Sequence, residues 1–274
     1  MRVCVIGLGE VGLATAKYVL GKGLDLWGYD ISQAAVENAK LVGISNATTR
    51  WEKIPQADVY LICVYTGLTE NGKCDFSAVY DACKKIKGVV ASLSKPLVSV
   101  ESTVVPGLCR QIFEEIFMRN VLLVHVPHRY WGEQPEKHGV RQKRVIGGIN
   151  GESLKAGLKF YQDILEIPLH VVSSIEVAEM SKIAENAYRY VQIAFAEELR
   201  MICEECGLSF EEVRKACNTK WNIEILEARD GIGGHCLPKD VRYLASLTNI
   251  NTLLKSSIVV NEQYRKWLRK RPQN

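Results

Sequence analysis

Short apolar runs and helical patterns alternate along the first half of the chain. Runs at Val3–Ile6, Leu24–Tyr29, Val59–Val64, Leu97–Val100 and Val121–His125 are rich in aliphatic and β-branched residues and read as buried strands. Apolar positions recur at helical spacing between them, around Val11–Leu20, Gln33–Lys40, Ser77–Ile86 and Gly107–Met118. Such alternation predicts an α/β domain: a doubly wound, mostly parallel sheet with helices on both faces. Two more runs, Arg144–Ile149 and Leu169–Val172, flank a helical pattern at Leu154–Ile164 and extend the same sheet.

The pattern changes after Ser174. From Ile175 to Cys206 there is no glycine or proline, and Val177, Met180, Ile183, Ala184, Ala187, Val191, Ala194, Phe195, Leu199 and Ile202 keep a helical period. One helix of about thirty residues follows, well beyond the usual three or four turns. A helix of that length suits the spine of an all-helical second domain or a homodimer interface. Gly207 is placed to cap it, and Ser209 with Glu212 forms a capping box for the next helix. A last helical pattern covers Leu253–Leu268. The expected division is a dinucleotide-type domain over 1–173 and a helical domain over 174–274.

Composition narrows the class. With 47% hydrophobic and 24% charged residues and a net charge of +4, the 274-residue chain resembles an ordinary globular protein and lacks the charge of a nucleic-acid binder. Its one dense basic cluster, Arg265–Arg271, reads as a solvated helix end or a contact for an anion. No apolar run approaches the ~20 residues that span a bilayer, and the N-terminus does not read as a signal peptide. Nine cysteines without framework spacing indicate free thiols in a reducing, cytoplasmic setting. Cys203 and Cys206 form a CxxC inside the long helix, with no second pair or histidine near it, so no metal site is expected.

Two segments carry chemistry. At Gly7-Leu8-Gly9-Glu10-Val11-Gly12 a GxGxxG follows a strand and opens a helix. Gly7 permits the tight turn, Gly9 lets the backbone approach a pyrophosphate, and Gly12 allows close helix–strand packing. Free N–H groups of Glu10 and Val11 at the helix start face the phosphates. Asp30 ends the second strand, where a carboxylate bonds ribose hydroxyls and disfavours a 2′-phosphate; the expected cofactor is NAD. The second segment is Gly231-Ile232-Gly233-Gly234-His235-Cys236-Leu237-Pro238-Lys239-Asp240. Its glycines make an open loop and Pro238 suits a first helical turn, so Cys236 meets a helix N-terminus that favours a thiolate. A thiolate and a nicotinamide together allow an alcohol to pass through an aldehyde, a thiohemiacetal and a thioester to a carboxylate. Lys182 and Asn186, four residues apart on one helix face, have the groups to hold an oxyanion. Glu101-Ser102-Thr103-Val104-Val105-Pro106-Gly107 follows a strand at the sheet's carboxyl edge, where its hydroxyls can meet a ligand or cap the next helix.

With GLGEVGL, ESTVVPG, the Lys182/Asn186 pair and GIGGHCLPKD together, the chain resembles the UDP-glucose/GDP-mannose dehydrogenase family from Met1 to about residue 265. That resemblance implies a Rossmann domain, a central helical dimerisation domain and a second Rossmann-like domain, the last of which this sequence does not contain. It also implies two-step NAD-dependent oxidation of a nucleotide sugar to a uronic acid. Cys236 would be the nucleophile, Asp240 its partner, and Lys182 and Asn186 the oxyanion and substrate contacts, with Gly233 lining the substrate. Thr103 would touch cofactor and water, and Thr66 and Lys239 would approach the cofactor. The chain departs from the family where Pro127-His128-Arg129 replaces Pro-Glu, which makes His128 a candidate base and Glu133 and Glu136 its substitutes. It departs again at Val64-Tyr65-Thr66-Gly67, where a looser loop is expected. Two other readings fit the same chain: a β-hydroxyacid dehydrogenase, which needs no Cys236, and a non-catalytic NAD-binding subunit.

Overall fold

The computed structural model describes residues 1–90 and 95–271, which fall into two compact units divided between Lys182 and Ile183. In the first unit β1 (Arg2–Ile6), β2 (Asp25–Tyr29), β3 (Ala47–Thr48), β4 (Val59–Ile62), β7 (Leu97–Val100), β8 (Leu122–His125), β9 (Arg144–Gly148) and β10 (Leu169–Val171) form one sheet. Their order is β10-β9-β8-β7-β4-β1-β2-β3, parallel throughout except where β9 runs antiparallel to β8. The first six strands of this sheet thus have the doubly wound order, with the strand order reversing between β1 and β4, which are parallel. β4 and β7 are buried along their whole length, which explains their uninterrupted apolar runs. The core joins Val3, Val5, Leu61 and Val124 to Ala16, Val19 and Phe160 from the covering helices.

Helices α1 (Glu10–Gly21), α2 (Gln33–Leu41) and α3 (Ser77–Val89) fall where the periodicity placed them. Between β4 and α3 the chain makes a small hairpin, β5 (Gly67–Leu68) with β6 (Cys74–Asp75), which takes in Gly67, the last residue of the segment expected to be loose. Two helices differ from expectation in kind. α4 (Leu108–Gln111) widens into a π turn at Ile112–Ile116, and α6 (Gly151–Leu158) does the same at Lys159–Ile164. A short helix, α5 (Pro135–His138), lies between β8 and β9.

The long helix α7 (Ile175–Glu205) carries the division between the units. It ends in a Schellman motif: Gly207 is left-handed, and the Leu208 N–H donates to Cys203 O at 2.8 Å. Ser209 then accepts from the Glu212 N–H to open α8 (Phe210–Cys217). The second unit is completed by α9 (Cys236–Ser246) and α10 (Thr252–Arg269). Its core has two parts, one around Ala187, Tyr190, Ile232 and Val241, the other around Ala196, Ala228 and Tyr264. Among the described residues no helix is long and apolar enough to cross a membrane.

Candidate active site

Strand register sets out the first unit's part of the site. Tyr29, Ile6, Ile62, Val100 and His125 are paired in a row across the sheet, so Asp30, Gly7, Cys63 and Glu101 all emerge from one edge. Gly7 has φ of 90°, and a Cβ there would lie 2.6 Å from Cys63 O. A Cβ on Gly12 would collide with Gly7 O. Gly9 faces open space, with nothing within 4 Å of where its Cβ would be. Two glycines therefore close the turn and the third leaves the approach free, which is the division of labour a dinucleotide requires. Glu10 and Val11 begin α1, and its N-cap, Gly9, offers no side chain to cover the first N–H groups. Asp30 accepts from the Leu8 N–H at 2.6 Å and the Ser32 N–H at 2.8 Å. A carboxylate so fixed still has lone pairs for ribose hydroxyls. These residues fit NAD.

Beyond the glycine turn lies a buried polar network that the sequence did not announce. Glu101 is at its centre. Tyr161 donates to one carboxylate oxygen; the other receives His128 Nε2, Arg144 Nη1 at 3.3 Å and the Cys63 thiol at 3.6 Å. Tyr161 also lies 2.7 Å from Ser99 Oγ, and Thr15 Oγ1 is 2.9 Å from His128 Nε2. Burial works to raise the Glu101 carboxyl, but the charges and hydrogen bonds of His128 and Arg144 outweigh it and bring it down to about 2. Burial, reinforced by Arg144, pushes His128 down to about 4. An ionised Glu101 accepts only, so His128 carries its proton on Nε2. Its Nδ1 is buried with no hydrogen-bond partner among the described residues. Donor atoms of Cys63, Glu101 and His128 lie within 4.8 Å of one another. Arg144 already balances the carboxylate there, and burial raises the Cys63 thiol well above its ordinary value, so the cluster is built as an internal hydrogen-bond network.

Thr103 follows β7 half-buried, and Thr66 is buried between β4 and β5. The hydroxyls of the 101–107 loop do not cap α4. Ser102 Oγ donates back to Val64 O at 2.7 Å, and the cap comes from Glu179 on α7, which accepts from the Gly107 N–H at 2.7 Å and the Cys109 N–H at 2.8 Å. Lys182 is one turn further along α7 and ends the first unit.

In the second unit Cys236 is exposed and is the first residue of α9. Four residues on, Asp240 is fully buried. It accepts from Asn186 Nδ2 at 2.5 Å and is ion-paired with Lys239, whose ammonium lies 4.4 Å from the centre of the Tyr243 ring. Asn186, Asp240 and Lys239 are thus brought together, with Asp240 fastening the start of α9 to α7. The loop leading to Cys236 is pinned at Ile232, whose N–H donates to Asn261 Oδ1 at 2.8 Å and whose carbonyl accepts from Arg265 at 2.9 Å. Gly231 and Gly234 have φ of 91° and 75°, and Gly233, between them, borders a cavity described below.

A doubly wound dinucleotide domain followed by a helical unit with a cysteine on a glycine loop defines a class of two-part, NAD-binding proteins. Residues 39–165 match the NAD-binding domain of the UDP-glucose/GDP-mannose dehydrogenase family, and residues 176–263 match its central domain. The chain belongs to that family. It is 32% identical over 282 aligned residues to the UDP-N-acetyl-D-mannosamine dehydrogenase of Methanococcus vannielii, covering 96% of this chain. It spans about 65% of that relative's length. The solved structure of the UDP-D-ManNAc dehydrogenase of Pyrococcus horikoshii superposes with a TM-score of 0.88 at 28% identity, over 97% of this chain and 69% of that one. A Mycobacterium tuberculosis 3-hydroxyisobutyrate dehydrogenase superposes with a TM-score of 0.71 at 15% identity, over 98% of this chain and 94% of that one, a likeness of fold alone.

Proposed function

We propose that this chain oxidises the primary alcohol of a nucleotide-linked sugar to a carboxylate, with Cys236 as the nucleophile. The supporting observation is the exposed Cys236 at the first position of α9, where the helix dipole favours a thiolate, on a helix fastened by the Asn186–Asp240 bond. NAD, when bound, takes up the hydrogen removed in each of two two-electron steps. The alcohol carbon first becomes an aldehyde. The Cys236 sulfur adds to that carbon, and the oxyanion that forms is held by Lys182 and Asn186, whose second amide hydrogen is not needed by Asp240. Loss of two more hydrogens leaves a thioester on Cys236, and water cleaves it to the carboxylate and the free thiol.

His128 is our candidate for the proton of that water. Glu101 fixes its tautomer through Nε2 and leaves the lone pair on Nδ1; because that nitrogen is buried, the role requires water to reach it once substrate is bound. Thr103 and Thr66 contact the cofactor in this reading, and Lys239 neutralises Asp240 beneath the nucleophile. We also propose that the protein is a homodimer through α7. Tyr188, Phe195 and Ile202, at 67%, 55% and 51% exposure, recur every seventh residue on one stripe of that helix.

The test is Cys236→Ser, assayed with UDP-N-acetylmannosamine and a panel of UDP- and GDP-sugars. Acid formation should fall by about three orders of magnitude while NAD affinity stays within about twofold. Acid production that persists in the variant removes the thioester route. Tight NAD binding with no turnover by the parent on any sugar would instead favour a non-catalytic subunit.

A further inference from the structure

We infer that the second unit holds a diphosphate-binding cavity beside the cysteine loop, formed by α9 and α10. The cavity, about 620 Å³, is bordered by Gly233 and Gly234 of the loop, by Tyr190 of α7, and by a row of charged side chains. Glu262, Arg265, Lys266 and Arg269 stand at i, i+3, i+4 and i+7 on one face of α10, and Arg242 faces them from α9. Four cations and one carboxylate leave an excess of three positive charges. The carboxylate is partly engaged already, at 3.7 Å from Arg242. Neither Lys266 nor Arg269 has an acidic partner among the described residues.

Most basic helix faces are solvated and bind nothing in particular. Three observations separate this one. The cations line a concavity rather than a convex surface. Arg265 lies against the loop backbone, so that a Cβ on Gly231 would be 2.7 Å from its Nε, and that Nε is buried without a partner. Tyr190 is four residues beyond Asn186, so a ligand in the cavity lies one helical turn from the Asn186–Asp240 bond. Three arginine guanidinium groups, a lysine and open glycine backbone suit two linked phosphates better than a single carboxylate.

The inference rests on the nucleotide-sugar reading above for the identity of the ligand, a nucleoside diphosphate ester. Its role is to hold the nucleotide portion of the substrate, which stays attached throughout, while the sugar reaches Cys236. Binding energy gained on a remote, unreacting diphosphate is what positions the reacting carbon.

Lys266→Gln with Arg269→Gln removes two exposed cations and leaves the Arg265 and Asn261 contacts to the loop intact. Titration calorimetry with UDP, with inorganic pyrophosphate and with NAD separates the possible sources of a diphosphate. The double variant should bind UDP and pyrophosphate at least tenfold more weakly and NAD as before, with a shallower salt dependence for UDP. Arg242→Gln should weaken UDP binding in the same direction. Unchanged UDP affinity in both variants, or no UDP binding by the parent at millimolar concentration, overturns the cavity. The two readings fail separately. Turnover of a UDP-sugar with a KM indifferent to these substitutions sinks the cavity alone, whereas charge-dependent UDP binding without turnover sinks the dehydrogenase alone.

Discussion

His125 closes β8 with its ring fully buried. Burial pushes it down from 6.5 to about 4. The unfolded chain takes up a proton near pH 6.5, whereas the folded one stays neutral until about pH 4. Its contribution to stability is therefore complete above 6.5 and drains away as pH falls toward 4. A displacement of that size removes about 2 to 3 kcal/mol by pH ~4.5. His128, pushed down to about 4 as well, removes a similar amount, whereas Glu197, raised to about 7 by burial, gains stability over the same range and offsets part of the loss. Glu101 enters only below its unfolded value of 4.5, because its folded value is the lower one. Replacing His125 with leucine fills the same space without a titrating group. The measurement is the urea midpoint at each pH from about 8 to 4.5, with NAD absent. His125→Leu should match or exceed the parent at pH 8 and lose about 2 to 3 kcal/mol less than the parent on acidification. If the two proteins lose stability in parallel, the histidine is already protonated or solvated in the folded state and the reasoning is wrong.

Two further outcomes follow from the geometry. Gly9→Val places a branched side chain in the open space above the turn, so thermal stability should change by less than about 1 kcal/mol while the NAD dissociation constant rises at least tenfold by calorimetry. Phe195→Glu puts a charge in the middle of the exposed α7 stripe; light scattering should then report a monomer where the parent gives a dimer, and a parent already monomeric at micromolar concentration removes the dimer.

How much could be read from the residues depended on whether a signal was local in the chain. β1, β4 and β7 were legible because strands buried on both faces leave continuous apolar runs, and α7 because nothing interrupts its period for thirty residues. β3 was not, since Ala47–Thr48 is a two-residue edge strand with no period to detect. The π turns escaped for a related reason: widening by one residue leaves the spacing of apolar positions nearly helical. The glycine turn and the cysteine loop are contiguous motifs, whereas the Glu101 network joins residues as far as 113 positions apart. Its one local hint was a glutamate closing an otherwise apolar strand. Arg265 was visible only as part of a basic tail, because sequence does not tell which side of α10 faces the loop. The composition change near residue 173 marked the start of α7, but the contacts divide the chain within that helix.

The widened turn at Lys159–Ile164 also has a meaning for how this sequence can change. A π turn is a regular helix that has absorbed one extra residue, and Tyr161 sits inside it. Deleting a single residue from Lys159 or Phe160 would relax the coil to its ordinary pitch and swing the phenol about 100° around the axis. Glu101 would then lose a donor across the sheet, although no residue of that strand had been altered. Length variation in this surface helix is accordingly constrained by a carboxylate far away in the sequence, and homologues lacking the extra residue must supply that hydroxyl from somewhere else.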